Sequence, residues 1–308
     1  MRSPLLSPAW VRAAGLGAAA LAGVLALAGC AAGSPGGSGS SAPGAVSVVA
    51  STNVYGDLAK AVGGDKVAVT SLVSKSSQDP HSYEATSLDR LAVSKAGLVI
   101  ENGGGYDPFL STLVREGKVP DSSVITAVQI AGVAEGGNEH VWYDLGAMGK
   151  VTAAIADRLS ALDPAGKEAF QANAKGVEER LSALEARAAA LAPHTAGKKV
   201  LVTEPVPLYL LQAAGLANAT PQAFTSAVEE GQDAPPAAFK ETLDLVTSKS
   251  VALLAYNPQT EGAQTEQLRK AAQSAGLPVV DFTETVPAGM DYLGWMQSNV
   301  DALAKAVS

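Results

Sequence analysis

The chain has 308 residues, a formal net charge of −8 and 47% hydrophobic residues. That is enough apolar material for a sizeable core, and the length suggests two domains. An acidic chain with no basic block argues against a nucleic-acid partner, and a single cysteine excludes an internal disulfide.

Residues 1–29 read as a secretory signal. Arg2 and Arg12 form its basic region, and Ala13 to Ala28 form an apolar run. The run falls short of the ~20 residues that a spanning helix needs. It ends in Leu27-Ala28-Gly29-Cys30, which resembles the bacterial lipobox, and the single cysteine of the chain stands at that position. The expectation is cleavage before Cys30, lipidation of its thiol and an extracytoplasmic protein anchored to the cell membrane. Residues 30–45 are rich in Gly, Ser, Pro and Ala and carry no charge, the composition of a flexible tether.

The folded part starts near Val46. Val46 to Ala50, Val67 to Leu72, Leu98 to Ile100 and Val124 to Thr126 read as strands, alternating with helical stretches at 52–62, 87–96 and 106–115. This βαβα pattern implies a mostly parallel sheet covered by helices. A second series begins near Lys199. It has strands at 200–202, 251–256 and 279–280 and helices at 206–215, 261–274 and 288–307. The expected fold is therefore α/β, with two (βα)-type lobes at 46–163 and 193–308.

Between them, residues 164–192 read as one long linking helix. Phe170, Ala174, Val177, Leu181, Leu184, Ala188 and Leu191 recur at spacings of 4, 3, 4, 3, 4 and 3, an apolar stripe on one face. Its 29 residues would span roughly 43 Å. A single stiff helix should limit hinge motion between the lobes.

Four segments at strand ends carry the chemistry. Asp79-Pro80-His81-Ser82-Tyr83-Glu84 follows the second strand, and Pro80 restricts the approach to His81. Glu139-His140-Val141-Trp142 ends a Gly-rich loop. Glu204 lies where a strand passes into a helix, and Asp281-Phe282-Thr283-Glu284 follows the strand at 279–280. Ligands of open α/β sheets bind at such ends. If the lobes face each other, His81 and His140 meet Glu204 and Glu284 across the cleft. Two imidazoles and two carboxylates suit Zn²⁺ or Mn²⁺. Asp281 is the alternative fourth ligand. His194 reads as an exposed loop residue, and the Gly-rich run 101–107 as a structural turn near the cleft.

With these motifs the chain, from Val46 onward, resembles the zinc/manganese-type solute-binding proteins of ABC importers (cluster A-I, the TroA-like family). The D-P-H-S-Y-E run at 79–84 and the H-V-W run at 140–142 are similar to the family's two histidine motifs. The V-T-E run at 202–204 is similar to its third ligand segment, histidine in zinc-type members and often glutamate in manganese-type ones. The F-T-E-T run at 282–285 stands where the family usually has F-T-D-S. The resemblance implies the long helix between lobes, a metal site formed by His81, His140, Glu204 and Glu284, an ABC permease as partner and no enzymatic turnover. It implies a monomer that delivers its ion to the membrane. Glu204 and the lack of a His-rich loop point to Mn²⁺; the longer Glu284 leaves Zn²⁺ open. Two other readings compete. A siderophore or metal-chelate-binding protein shares the two-lobe plan, and a metal-dependent hydrolase would use the same donors with an open coordination position.

Overall fold

A computed structural model describes residues 44–308; the signal segment, Cys30 and most of the tether lie outside the described residues. The first lobe is built on β1 (Val46–Thr52), α1 (Asn53–Gly63), β2 (Val67–Val73), α2 (Ser87–Lys95), β3 (Leu98–Glu101), α3 (Pro108–Gly117), β4 (Val124–Thr126) and α4 (Ala127–Ala131). All its strands are parallel, in the order β2-β1-β3-β4. The strands read as continuous apolar runs because helices cover the sheet. Thr86 starts α2 with a reciprocal capping box to Asp89, which fixes where the loop after β2 ends.

The next elements form a helical hairpin. α5 (Leu145–Leu162) starts on the carboxylate of Asp144, which accepts from the Ala147 N–H at 2.9 Å. After a 3₁₀ turn at Pro164–Gly166, α6 (Lys167–Ala189) packs back along α5. The apolar stripe from Phe170 to Ala188 is buried as its spacing predicts. The long helix departs from one continuous 164–192 segment at both ends. Asp163 caps a 3₁₀ first turn, and the chain breaks after Ala189 before the four-residue α7 (Ala192–Thr195). Pro193 cannot continue the hydrogen-bond ladder of α6.

The second lobe repeats the plan of the first. It contains β5 (Lys199–Val202), α8 (Leu208–Ala213), β6 (Ala217–Asn218), α9 (Gln222–Glu229), α10 (Pro236–Thr247), β7 (Leu254–Tyr256), α11 (Ala263–Ser274), β8 (Val279–Asp281) and α12 (Tyr292–Val307). Its strand order is β6-β5-β7-β8, again all parallel. In both sheets the first strand lies inside, with its successor on one side and the third strand on the other. That arrangement creates a crevice at the carboxyl ends of the inner strands. Helices α9 and α10 and strand β6 were not legible in the sequence. β7 is shorter than the 251–256 run, and α12 starts at Tyr292 because Gly289 (φ +83°) turns the chain and Asp291 then caps the helix.

The largest apolar cluster runs through both lobes. It joins Val48, Leu98 and Phe170 to Val200, Leu210, Trp295 and Leu303. Two smaller clusters lie on the outer faces of the two sheets. Among the described residues no helix is long and apolar enough to cross a membrane.

Candidate metal centre

The loop after β2 presents His81. Asp79 Oδ1 accepts from the His81 N–H at 2.9 Å, and its Oδ2 accepts from Ser82 Oγ at 2.7 Å. Gln78 Oε1 holds the start of the same loop through the N–H groups of Ser74 and Lys75, both at 3.1 Å. The His81 ring then meets the edge of Tyr106, with centroids 5.0 Å apart.

Tyr106 follows three glycines with positive φ, Gly103, Gly104 and Gly105. At Gly103 a Cβ would sit 2.5 Å from Thr126 Cγ2, so no larger residue fits. The buried Asp107 carboxylate closes this turn, accepting from the N–H groups of Asn102 (2.6 Å) and Gly103 (2.8 Å). Tyr106 also packs 5.9 Å from His140 and 4.7 Å from Trp142. The Gly-rich turn is thus structural, and its tyrosine stands beside both histidines.

His140 is 1% exposed. Its Nδ1 lies 2.7 Å from Asn138 Oδ1. The Asn138 amide is oriented by its Nδ2, which donates to the Pro205 carbonyl at 3.0 Å, so Oδ1 must accept and Nδ1 carries the proton. Nε2 is left with its lone pair. Burial, and then the nearby His81, lower the His140 pKa to about 3, so the ring is neutral at any physiological pH.

The second lobe supplies carboxylates. Glu204, just beyond β5, accepts at Oε2 from Asn257 Nδ2 (2.6 Å) and from the Thr260 hydroxyl. Glu284 accepts at Oε1 from the same Asn257 Nδ2 at 2.8 Å, and its N–H donates to Gln259 Oε1 at 2.6 Å. Glu284 Oε2 is sealed from solvent and has no hydrogen-bond partner among the described residues. Burial, then the charge of Glu204, push the Glu284 pKa up to about 8. Burial likewise lifts Glu204 to about 7, against the hydrogen bonds from Thr260 and Asn257.

One donor atom each from His81, His140 and Glu284 lies within 4.8 Å of the others. Two imidazole nitrogens and a buried carboxylate oxygen converge here, the donor chemistry of a divalent transition metal. Glu204 stands beside this set, bridged to Glu284 by Asn257, with its own donor atoms outside the 4.8 Å group. Asp281 is exposed and pairs with Arg269 at 3.4 Å, so the structure brings Glu284 rather than Asp281 to the histidines. His194 is exposed on α7.

The geometry agrees with what the chain is similar to. Residues 48–306 match the family described as ZnuA, zinc-uptake complex component A, periplasmic. The chain belongs to this family. Among curated proteins it is 27% identical over 284 residues to the metal ABC transporter substrate-binding lipoprotein ScbA of Streptococcus cristatus, covering 85% of this chain and 89% of that one. It is 27% identical over 283 residues to the manganese ABC transporter substrate-binding lipoprotein PsaA of Streptococcus anginosus, with the same shares covered. Among solved structures, the periplasmic zinc binding protein TroA of Treponema pallidum superposes with a TM-score of 0.72 at 20% identity, over 86% of this chain and all of that one. The two parallel-sheet lobes and the long helix between them are the fold of this group.

The sequence does not single out several residues around the centre. Asn257 lies just after the three-residue β7, and Asn138 is one polar residue in a Gly-rich loop. Glu229, the last residue of α9, forms a second group with Glu139 and His140 whose donor atoms also lie within 4.8 Å of one another. No local pattern marks it.

Proposed function

We propose that this chain is the extracytoplasmic metal-capturing component of an ABC importer, holding one Mn²⁺ or Zn²⁺ ion between its lobes through His81, His140 and Glu284, with Glu204 completing the site. The observation that carries this is the convergence of His81, His140 and Glu284 within 4.8 Å, with Glu284 Oε2 buried and unpartnered. Both histidines come from the first lobe and both acids from the second, so the ion ties the lobes together. Three donor atoms converging within 4.8 Å suit a bare cation rather than the bulky chelate of the siderophore alternative. The hydrolase alternative would need a general base beside an open position, and the family is a component of an uptake complex.

On this reading residues 46–163 and 193–308 act as two lobes joined by the 164–192 helical segment, and the shared apolar core keeps their relative motion small. The curated relatives are named lipoproteins, which supports lipidation at Cys30 with residues 30–45 as the tether. A membrane permease then receives the ion. The relatives' names include both manganese and zinc, and an N₂O₂ donor set serves either ion.

The test is elemental analysis and competitive titration of the soluble form beginning after Cys30, beside His81→Ala and Glu284→Gln. One tightly bound ion per chain, lost in both variants, is expected and names the metal. Wild-type protein that holds no stoichiometric ion sinks the reading.

A further inference from the structure

We infer that Glu139, His140 and Glu229 form an outer cation-holding set that receives the ion first and passes it, by exchange of partners on His140, to the inner His81–His140–Glu284 set. The inference rests on the metal-capture reading above and adds a site and a route to it.

Acidic side chains that lie near one another are ordinary on protein surfaces. What distinguishes this group is the imidazole in its middle. The His140 side chain is 1% exposed, its Nδ1 is spent on Asn138, and its Nε2 faces Glu229 Oε1 at 4.0 Å. That is too long for a hydrogen bond. It is within the roughly 4.2 Å that two metal–ligand bonds of about 2.1 Å can span. Glu229 Oε1 is itself sealed from solvent and has no hydrogen-bond donor among the described residues. The Nε2 lone pair of a 1%-exposed imidazole and a sealed carboxylate oxygen thus lie where one cation could bridge them.

The two sets cannot hold separate ions. Nε2 is the one uncommitted nitrogen of His140, and both sets need it. An ion in the outer set must therefore move inward rather than be joined by a second. The position of Glu229 supplies the route. It lines a cavity of about 400 Å³ together with His81, Asp79, Glu204, Glu230, Asp233 and Glu261, and the lining contains no lysine or arginine. Such a mouth raises the local concentration of cations. His140, which both sets share, is not in the lining, whereas Glu229 of the outer set and His81 of the inner set both are, so an ion in the cavity meets one ligand of each set and His140 Nε2 lies 4.0 Å from Glu229 Oε1. The outer set also joins the lobes, since Glu139 and His140 belong to the first and Glu229 to the second.

The experiment is stopped-flow mixing of the soluble form with Mn²⁺ or Zn²⁺, read by tryptophan fluorescence; the ring of Trp142 lies 5.1 Å from that of His140. Glu229→Gln is compared with wild type and with Glu230→Gln, which changes the neighbouring acid of the same mouth in the same way. A transit site speeds both directions, so Glu229→Gln should slow association and dissociation alike, each about tenfold, with Kd nearly unchanged. Glu230→Gln should leave dissociation as it is. A weakened Kd with faster dissociation would make Glu229 a permanent ligand and overturn the inference. Slower association alone, abolished by salt, would reduce Glu229 to electrostatic steering and overturn it too, as would unchanged rates. Failure of wild-type protein to bind the metal is seen before any variant is mixed, and removes the capture reading together with this one.

Discussion

The side-chain amide of Asn257 stands between two buried carboxylates, with Nδ2 2.6 Å from Glu204 Oε2 and 2.8 Å from Glu284 Oε1. One amide group thus offsets part of the repulsion between two acids that burial has already made hard to ionise. Its own backbone is fixed by the Asn257 N–H, which donates to Thr203 Oγ1 at 2.9 Å. Asn257→Ala should leave both acids short of a donor, at a cost of about 1–3 kcal/mol to the apo protein. Metal affinity should fall by about 10–100-fold, the usual effect of removing a group that orients ligands. Denaturant unfolding and competitive titration measure the two effects, and unchanged affinity would remove Asn257 from the site.

The raised carboxylates also set a pH dependence. Glu204 and Glu284 titrate in the folded apo protein at about 7 and about 8, above the ordinary 4.5. A raised folded pKa contributes stability that is present below 4.5 and lost as pH rises through 7 and 8. His140 runs the other way. Its pKa falls from 6.5 to about 3, so its contribution is present above 6.5 and lost as pH falls towards 3. Glu284→Gln should therefore make the apo protein more stable than wild type above pH 8, by on the order of a few kcal/mol, while removing the stabilisation that metal confers. Thermal melts with and without metal across pH 5–9 check this, and equal apo stability at high pH would refute it.

Metal must displace the protons these acids hold. At pH 7 binding should release about one to two protons per ion, and close to none by about pH 9. Affinity should fall on acidification. Calorimetry in buffers of different ionisation enthalpy counts the protons directly, and a count of zero at pH 7 would show that both acids are already ionised in the apo protein.

Tyr106 separates packing from polarity at the centre. Its ring lies against His81 and its hydroxyl is buried with no partner among the described residues. Tyr106→Phe keeps the ring and removes only the buried hydroxyl beside the Glu284 carboxyl, so stability should change by no more than about 1 kcal/mol. Tyr106→Ala leaves a cavity and should cost about 3–5 kcal/mol. It also frees the His81 ring, and affinity should fall by more than about tenfold. Equal affinities for the two variants would mean that the ring does not position His81.

What could be read from the sequence follows the range of the interactions. The stripe from Phe170 to Ala188 and the short motifs around His81 and His140 are local patterns; the stripe is buried as spaced, and the fold brings the two histidines together. Glu229 was not legible because its helix has no strong start signal and is fixed by burial of Phe224 and Val228 against β5 and β7 residues. β7 has three residues, too few for alternation to register, so Asn257 behind it carried no mark. Glu284, the fourth ligand expected from the sequence, stands with the histidines, while Asp281, the alternative, pairs with Arg269. Each miss rests on contacts between residues far apart in the chain.

Asn138 tests the site from its most distant contact. One side chain sets the His140 tautomer through Oδ1 and ties the first lobe to the second through Nδ2 and the Pro205 carbonyl. The Asn138 carbonyl adds a second tie, accepting from Tyr209 OH at 2.6 Å. Asn138→Ala removes the first tie and leaves the second. The lobes should stay joined, because the apolar core and the Tyr209 contact persist, so stability should fall by only about 1–2 kcal/mol. The imidazole, however, loses the acceptor that keeps its proton on Nδ1, and metal affinity should fall by about 10–100-fold. Asn138→Asp retains an acceptor for Nδ1 and gives up the donor to Pro205, so it should recover most of the affinity but not the stability. NMR of the His140 ring nitrogens reports the tautomer in each variant. A wild-type tautomer in Asn138→Ala would mean that the imidazole is oriented by its packing against Tyr106 and Trp142 alone.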